Sequence, residues 1–323
     1  MLRFALERAG QTVIVALVVA TLAFALIHAA PGDPFSPSPD DPPELAVARE
    51  RVRSDYGLDR PLVTQYGLML ANFARGRFGE SFSEARPVGD VIAAVLPRTA
   101  LLMAPALIIG VTIGTLVGTW QGRRAGRRRE RIVSAATLAV LSMPEFLIGL
   151  LAALVFATRL NWLPATGMQT ADLVNAGGLV AVSDVLRHLV LPGGTLALAI
   201  AAMVARYQRA SATEAYTEDF VRGARARGVS EPRVAWVHVL RRTAGSLCAL
   251  IGLLLPAVVG GAALVESVFG WPGAGSALLR AVSSRDYPLV IGLVLVGSVA
   301  VCISSALADA AAQLVNPRAR VQT

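Results

Sequence analysis

Lysine is absent from the 323 residues; all 30 cationic side chains are arginine. A P-loop needs a lysine to reach the β- and γ-phosphates, so this chain encodes no P-loop ATPase. Charge of either sign is scarce. Only 16% of residues are charged against 54% hydrophobic, and the mean hydropathy is +0.58. That composition is too apolar for a soluble domain of this length, so lipid is the solvent for much of the chain. Cysteine is nearly missing: Cys248 and Cys302 lie inside apolar runs with no Cys-x-x-Cys or Cys/His spacing, and they read as small buried residues. The three histidines, His28, His188 and His238, are scattered. Neither a metal cage nor a catalytic triad can be drawn from their spacing, and enzymatic chemistry has no visible candidate.

The net charge of +8 and a pI near 10.6 raise nucleic-acid binding as a possibility. The arginines alternate with long apolar runs and form no single stripe, which argues against it.

A helix needs about twenty apolar residues to cross the hydrocarbon layer. Six stretches qualify, at roughly 10–30, 99–121, 132–158, 189–207, 245–265 and 289–312, which predicts an all-α polytopic membrane protein. The first stretch has the outline of a signal peptide, with Arg3 and Arg8 before it and Ala29-Ala30 after it. Its core is longer than a usual h-region and lacks a clean Ala-x-Ala site, so a retained helix is the reading.

Arginine bias sets the expected orientation. With the N-terminus inside, the inner segments carry Arg3, Arg8, Arg123, Arg124, Arg127, Arg128, Arg129, Arg131, Arg206, Arg209, the arginines of 222–242, Arg318 and Arg320. The short outer loops at 159–188 and 266–288 carry only Arg159, Arg187, Arg280 and Arg285. Both termini are therefore expected in the cytoplasm. The domain reading is an N-terminal span at 1–30, an extracytoplasmic segment at 31–98, and a transmembrane core at 99–323 with a cytoplasmic loop at 208–243.

Segment 31–98 is arginine-rich but also holds ten acidic residues, and long translocated segments obey the bias poorly. Asp41-Pro42-Pro43 predicts a helix start for 44–56, stopped by Gly57. Leu62, Tyr66, Met69, Leu70 and Phe73 predict the apolar face of a second helix ended by Gly76. The segment reads either as a small cap on the membrane domain or as a docking surface for an outer partner.

The loop at 208–243 reads as helix, glycine break, helix. Thr217-Glu218-Asp219 predicts a cap and negative charge at a helix start, with Arg225 and Arg227 in the last turn before Gly228. Ser230-Glu231-Pro232 restarts a helix with Val234, Val237 and Leu240 along one side. From spacing alone this is either a surface hairpin with a solvated arginine face or a compact knob whose bare glycine lets another protein approach closely.

Pro105, Pro144, Pro192 with Gly193 and Gly194, and Pro256 sit inside spans, where backbone can kink or line a cavity. Close helix packing through small residues is the preferred account of most glycines. Glu145 falls near the middle of the third stretch, where a carboxylate is costly and faces either a cavity or a hydrogen-bonding partner. With Pro144 it is the candidate pathway residue.

In order along the chain come Pro31-Gly32-Asp33-Pro34, Tyr56-Gly57-Leu58-Asp59-Arg60-Pro61-Leu62, Gly76-Arg77-Phe78-Gly79-Glu80-Ser81-Phe82 and Pro97-Arg98-Thr99. Further on stand Ser142-Met143-Pro144-Glu145-Phe146 with Gly149, Leu163-Pro164-Ala165-Thr166-Gly167, Leu191-Pro192-Gly193 and Asp219-Phe220-Val221-Arg222. The series ends with Glu266-Ser267-Val268-Phe269, Pro272-Gly273-Ala274-Gly275 and Arg285-Asp286-Tyr287-Pro288. Over nearly its whole length the chain resembles the inner-membrane permease subunits of ABC importers for peptides and nickel, in particular the first permease of dipeptide and oligopeptide systems.

The resemblance implies a type I importer permease fold and a second homologous permease, with the solute passing between the two. It also implies two ATPase subunits, which would bind ATP and magnesium, and an extracytoplasmic solute-binding protein; no cofactor and no catalytic residue are implied for this chain. It places an ATPase-coupling motif at Arg222, Gly223, Ala224, Arg225, Gly228, Ser230 and Glu231. Arg222 stands where the general motif has glutamate, and the usual downstream proline is missing near Thr243-Ala244-Gly245. Peptides are the implied solute, with nickel chelates or glycosides as alternatives. An ion-coupled secondary transporter is the rival from another class, but no inverted repeat is visible and the basic loop has no role in it.

Overall fold

The computed structural model describes residues 2–29, 60–173 and 177–315, and among these the regular structure is helical. The long elements are α1 (Leu2–Ala29), α2 (Leu62–Ala74), α3 (Val88–Arg123), α4 (Arg128–Ser142), α5 (Glu145–Ala152) and α6 (Gly178–Thr217). They continue as α7 (Asp219–Ala226), the single turn α8 (Glu231–Arg233), α9 (Leu240–Val268), α10 (Ala274–Ser283) and α11 (Tyr287–Val315). Glu80 and Pro87 form one isolated antiparallel bridge. The helix expected over 44–56 lies outside the described residues.

Among the described residues five helices are long and apolar enough to cross a membrane, and a sixth crossing is counted if the bent pair α4 and α5 is one span. This agrees with the six stretches read from hydropathy. The third stretch, a span in which Pro144 marks a place where the backbone can kink, is broken there, with α4 and α5 meeting at 102°. Pro144 is the cause: it has no N–H to donate and disfavours helical backbone at the residue before it, and both Met143 (ψ 137°) and Pro144 (ψ 135°) are extended. Glu145 therefore sits in the first turn of a new helix, not in the middle of an old one. Pro97, Pro105 and Pro192 lie inside helices that run on past them. With 40 residues, α6 spans about 60 Å, twice a hydrocarbon layer, so its ends reach beyond it.

The chain divides into two compact units, Met1–Val95 with Ala277–Cys302, and Leu96–Ser276 with Ile303–Thr323. In the first, α2 forms as its pattern predicts and Gly76 follows it at φ 70°. Its Met69, Leu70 and Phe73 pack with Ala20 of α1 and with Ile291 and Leu295 of α11. Tyr66 and Thr21 share a hydrogen bond of 2.7 Å. Asp286 is fully buried at the start of α11, where Leu289 N donates to it at 3.2 Å as in a helix cap. Its other oxygen accepts from Ser81 Oγ at 2.5 Å and from Ser83 N and Oγ at 2.9 and 2.7 Å. Burial pushes the Asp286 carboxyl up, but these bonds outweigh burial and hold it below the ordinary aspartate range.

The second unit is organised by α3 against α6. Gly110, Gly114, Gly118 and Gly122 recur every fourth residue and so form one stripe along α3. A Cβ at Gly114 would come within 2.6 Å of Val204 Cβ and 2.7 Å of Ala201 O, and one at Gly118 within 2.5 Å of Ala205 O. At Gly110 and Gly122 it would meet Ile200 and Ala212 side chains at 2.7 and 2.6 Å. The stripe lets the two backbones touch, as small residues do between helices in lipid.

Two outcomes follow. Gly114→Leu costs about 1–3 kcal/mol by overpacking and lowers the melting temperature of the purified protein. Gly297→Ala on α11, where a Cβ meets nothing within 4 Å, leaves it unchanged or slightly raised. A leucine variant that melts with the wild type would show that α3 and α6 are not held at that spacing. For Asp286, a folded pKa below the unfolded value of 3.8 means that its stabilisation is complete above that pH and lost as pH falls through the folded value. The melting-temperature deficit of Asp286→Asn should therefore be full at pH 7 and shrink below about pH 4. A deficit that does not vary with pH would sink this account.

Candidate functional site

The loop expected as helix, glycine break, helix folds as α7, a turn at Gly228, and α8 running into a π-helical turn at Val234–Val239. Gly228 adopts φ 76°, its N–H bonds Arg225 O at 2.9 Å, and Val229 N–H bonds Ala224 O at 3.2 Å. This is the Schellman closure, which needs a residue tolerant of left-handed backbone. Ser230 then precedes the restart, with Pro232 in its first turn.

Two local expectations are corrected. The cap at Thr217 does not form: its hydroxyl donates back to Glu214 O at 2.7 Å, and Glu218 stands at the junction of α6 and α7 without a side-chain cap. Threonine inside a helix commonly bonds a preceding carbonyl in this way. Val237, expected on the packed side, is 49% exposed. The π turn widens the helical period, so Val234, Ala235 and Val239 are buried instead.

All seven residues assigned to coupling fall within this knob, but they divide into three kinds. Ala224 is fully buried with Ala212, Ala215, Val221, Val234 and Val239, so it is a core residue of the knob. Arg225 Nε bonds Glu231 Oε1 at 2.7 Å, and Arg123 Nε at the end of α3 lies 3.2 Å from the other oxygen of Glu231. Those two residues brace the knob against α3. Arg222, Gly223, Gly228 and Ser230 form its exposed rim, together with Ala226 and Arg227, and a Cβ added at Gly223 or Gly228 meets nothing within 4 Å. Arg222 pairs with Asp219 on the rim. Beside it, an open depression of about 720 Å³ is lined by Glu214, Thr217, Glu218, Asp219, Phe220 and Arg242.

Below the knob, Gln208 is fully buried and donates to Thr119 Oγ1 at 3.0 Å and Thr243 Oγ1 at 2.9 Å. One amide thereby ties α6 to α3 and α9. Such a bond inside a helix bundle resists sliding, because breaking it leaves a polar group buried.

At the break between α4 and α5, Glu145 is half-buried, and its carboxylate has no hydrogen-bond or ion-pair partner among the described residues. The deeply buried carboxylates are others: Glu130, Asp184, Glu266 and Asp286. Glu266 is fully buried and accepts from Thr99 Oγ1 at 2.7 Å and Ser276 N at 2.8 Å. A Cβ at Gly273 would fall inside its carboxylate. Trp271 Nε1 donates to Arg98 O at 2.9 Å, Gly167 N donates to Phe269 O at 2.8 Å, and Gly149 lies against the Phe269 ring. Three motifs far apart in sequence, carrying Arg98 with Thr99, Gly149 and Gly167, thus meet around one loop, from Glu266 to Ser276. Glu266 carried no signal as a site residue because it follows the fifth apolar stretch and looks like the start of a loop.

The geometry is that of a helical membrane protein with one exposed, braced knob, and comparison with known proteins gives it a family. Residues 110–321 match the binding-protein-dependent transport system inner membrane component, and residues 1–103 match the N-terminal model of the same systems. A Brucella ovis protein named as a peptide permease is 37% identical over 329 aligned positions, covering 99% of this chain and 100% of the relative. The oligopeptide transport system permease protein AppB of Bacillus subtilis is 31% identical, with 98% and 99% covered. The glutathione transport system permease protein GsiC of Escherichia coli strain K12 is 33% identical, with 99% of each covered. This chain therefore belongs to the family of binding-protein-dependent transport system inner membrane components.

Proposed function

We propose that this protein forms half of the translocation pathway of an ATP-driven importer of small peptides, and that its knob at 208–243 docks into ATPase subunits. The observation that carries the docking role is the division of the knob itself. An exposed rim of small and arginine residues stands on a fully buried core and is braced to α3 through Glu231. A force applied to that rim moves α3 and α6 with it, because Gln208 and the glycine stripe join them. ATP and magnesium are bound by the partners, since this chain has no lysine and no P-loop. Peptide as the solute is supported by the relatives, which are named for peptides, oligopeptides and glutathione.

In this reading a second homologous permease supplies the other half of the pathway, and a solute-binding protein delivers the ligand to the outer face, with segment 31–98 available to it. Pro144 and the unpartnered Glu145 line the path at the break in the third span. The arginine bias puts the knob and both termini in the cytoplasm of a bacterial inner membrane.

Gly228→Trp leaves the membrane domain folded, because the added side chain enters open space, although the left-handed backbone costs roughly 1 kcal/mol. It blocks close approach of a partner, so peptide uptake falls at least tenfold and ATPase subunits are lost on co-purification. Normal uptake with full subunit retention would remove the docking role from this loop. The orientation has its own test in a background lacking Cys248 and Cys302. Cysteine at Ser283 reacts with an impermeant thiol reagent added to intact cells, and cysteine at Ala125 reacts only after permeabilisation. Labelling of position 125 in intact cells would reverse the topology.

A further inference from the structure

The turn between α3 and α4 concentrates arginine: Arg123, Arg124, Arg127, Arg128, Arg129 and Arg131 fall within nine residues. The structure strips this patch of compensating charge. Glu130, the one acid in the turn, is 1% exposed, and its carboxylate points inward. It accepts from Arg209 Nε at 2.6 Å, Ser134 Oγ at 2.9 Å and Gly126 N at 3.2 Å. Arg123 is taken by Glu231. Arg127, Arg128, Arg129 and Arg131 remain exposed, and none of the four has an ion pair or side-chain hydrogen bond among the described residues. Arg124 lies 4.7 Å over the ring of half-buried Trp120.

Local structure does not call for these arginines. Positive charge in the first turn of α4 opposes the helix macrodipole, and like charges on one turn repel. Their arrangement makes sense against an external anion. Trp120 is the residue type that settles at the level of lipid headgroups, and the patch begins one turn beyond it at the end of a membrane-spanning helix. Guanidinium groups take phosphate oxygens two at a time, and an anionic membrane surface presents many phosphates at once to a juxtamembrane cluster of cations.

We propose that the turn at 124–131 is a binding site for anionic phospholipid headgroups, of the phosphatidylglycerol or cardiolipin class. The lipid phosphates sit among Arg127, Arg128, Arg129 and Arg131, with Trp120 and Arg124 marking the headgroup depth. Withdrawal of Glu130 into the fold is the device that keeps the surface uniformly cationic. The inference requires a membrane protein but neither the docking role nor the orientation proposed above, so it fails or survives independently of both.

The test uses the full chain, purified and delipidated in a neutral detergent. Its melting temperature is titrated with phosphatidylglycerol, with phosphatidylcholine of the same acyl chains, and with inorganic phosphate. The wild type is stabilised by phosphatidylglycerol well beyond phosphatidylcholine and hardly at all by inorganic phosphate. Changing Arg127, Arg128, Arg129 and Arg131 together to glutamine lowers the apparent phosphatidylglycerol affinity by about fivefold per residue, and changing all four to lysine, which keeps the charge but loses the bidentate donors, lowers it less. If the fourfold glutamine variant does not insert, Arg128→Gln and Arg129→Gln singly show the same loss at about fivefold each. Equal affinity of glutamine variants and wild type overturns the site, as does full stabilisation by inorganic phosphate. Unchanged lipid affinity with loss of a co-purifying subunit would assign the patch to a protein surface instead, and overturns it equally.

Discussion

Contact between the backbones of α3 and α6 is the constraint on which the second unit depends. In lipid, apolar side chains gain little by leaving their surroundings, so helices are held by close van der Waals fit and by the few polar bonds they make. The four glycines of α3 provide the fit, since the α6 atoms lie where their Cβ atoms would be. Once the backbones are this close, Gln208 of α6 reaches Thr119 of α3, and Arg209 reaches Glu130 at the start of α4. The knob that follows α6 inherits its position from this contact, because Arg123 at the end of α3 is brought to Glu231.

Buried carboxylates do comparable work elsewhere. Glu266 organises a loop of the second unit by receiving Thr99 and Ser276, and Asp286 organises the first by receiving Ser81, Ser83 and the start of α11. Each accepts several bonds, so its removal would leave more than one donor buried without a partner. Glu130 does this twice over, holding Arg209 inside while leaving the neighbouring arginines to the surface. Glu145 is the exception among these acids, for it stands at a helix break with no partner among the described residues. That difference is what the proposed pathway role rests on.

The knob shows how far a pattern of residue types reaches. Glycine at 228 and serine, glutamate and proline at 230–232 mark a stop and a restart because their backbone preferences are local, and both are found where the pattern puts them. The register after the restart is not local. Whether the helix continues with its usual period or opens into a π turn depends on what it packs against, and here the core of Val221 and Ala224 draws Val239 in and leaves Val237 out.

What the sequence determined by itself was the number of apolar stretches, the helical class and the membrane as solvent. These follow from composition and length, which no tertiary contact can alter. The absence of lysine likewise excluded nucleotide hydrolysis by a P-loop without any structure. Only the tertiary structure decided that Pro144 breaks its span while Pro105 and Pro192 do not, because neighbouring helices can compensate a missing backbone bond in one place and not in another. It alone separated the residues assigned to coupling into a buried core, a brace and an exposed rim, and turned Glu266 from a loop residue into the anchor of a loop on which three distant motifs converge. Burial and partnership are relations between residues distant in the chain, and the order of amino acids does not carry them until the helices have packed.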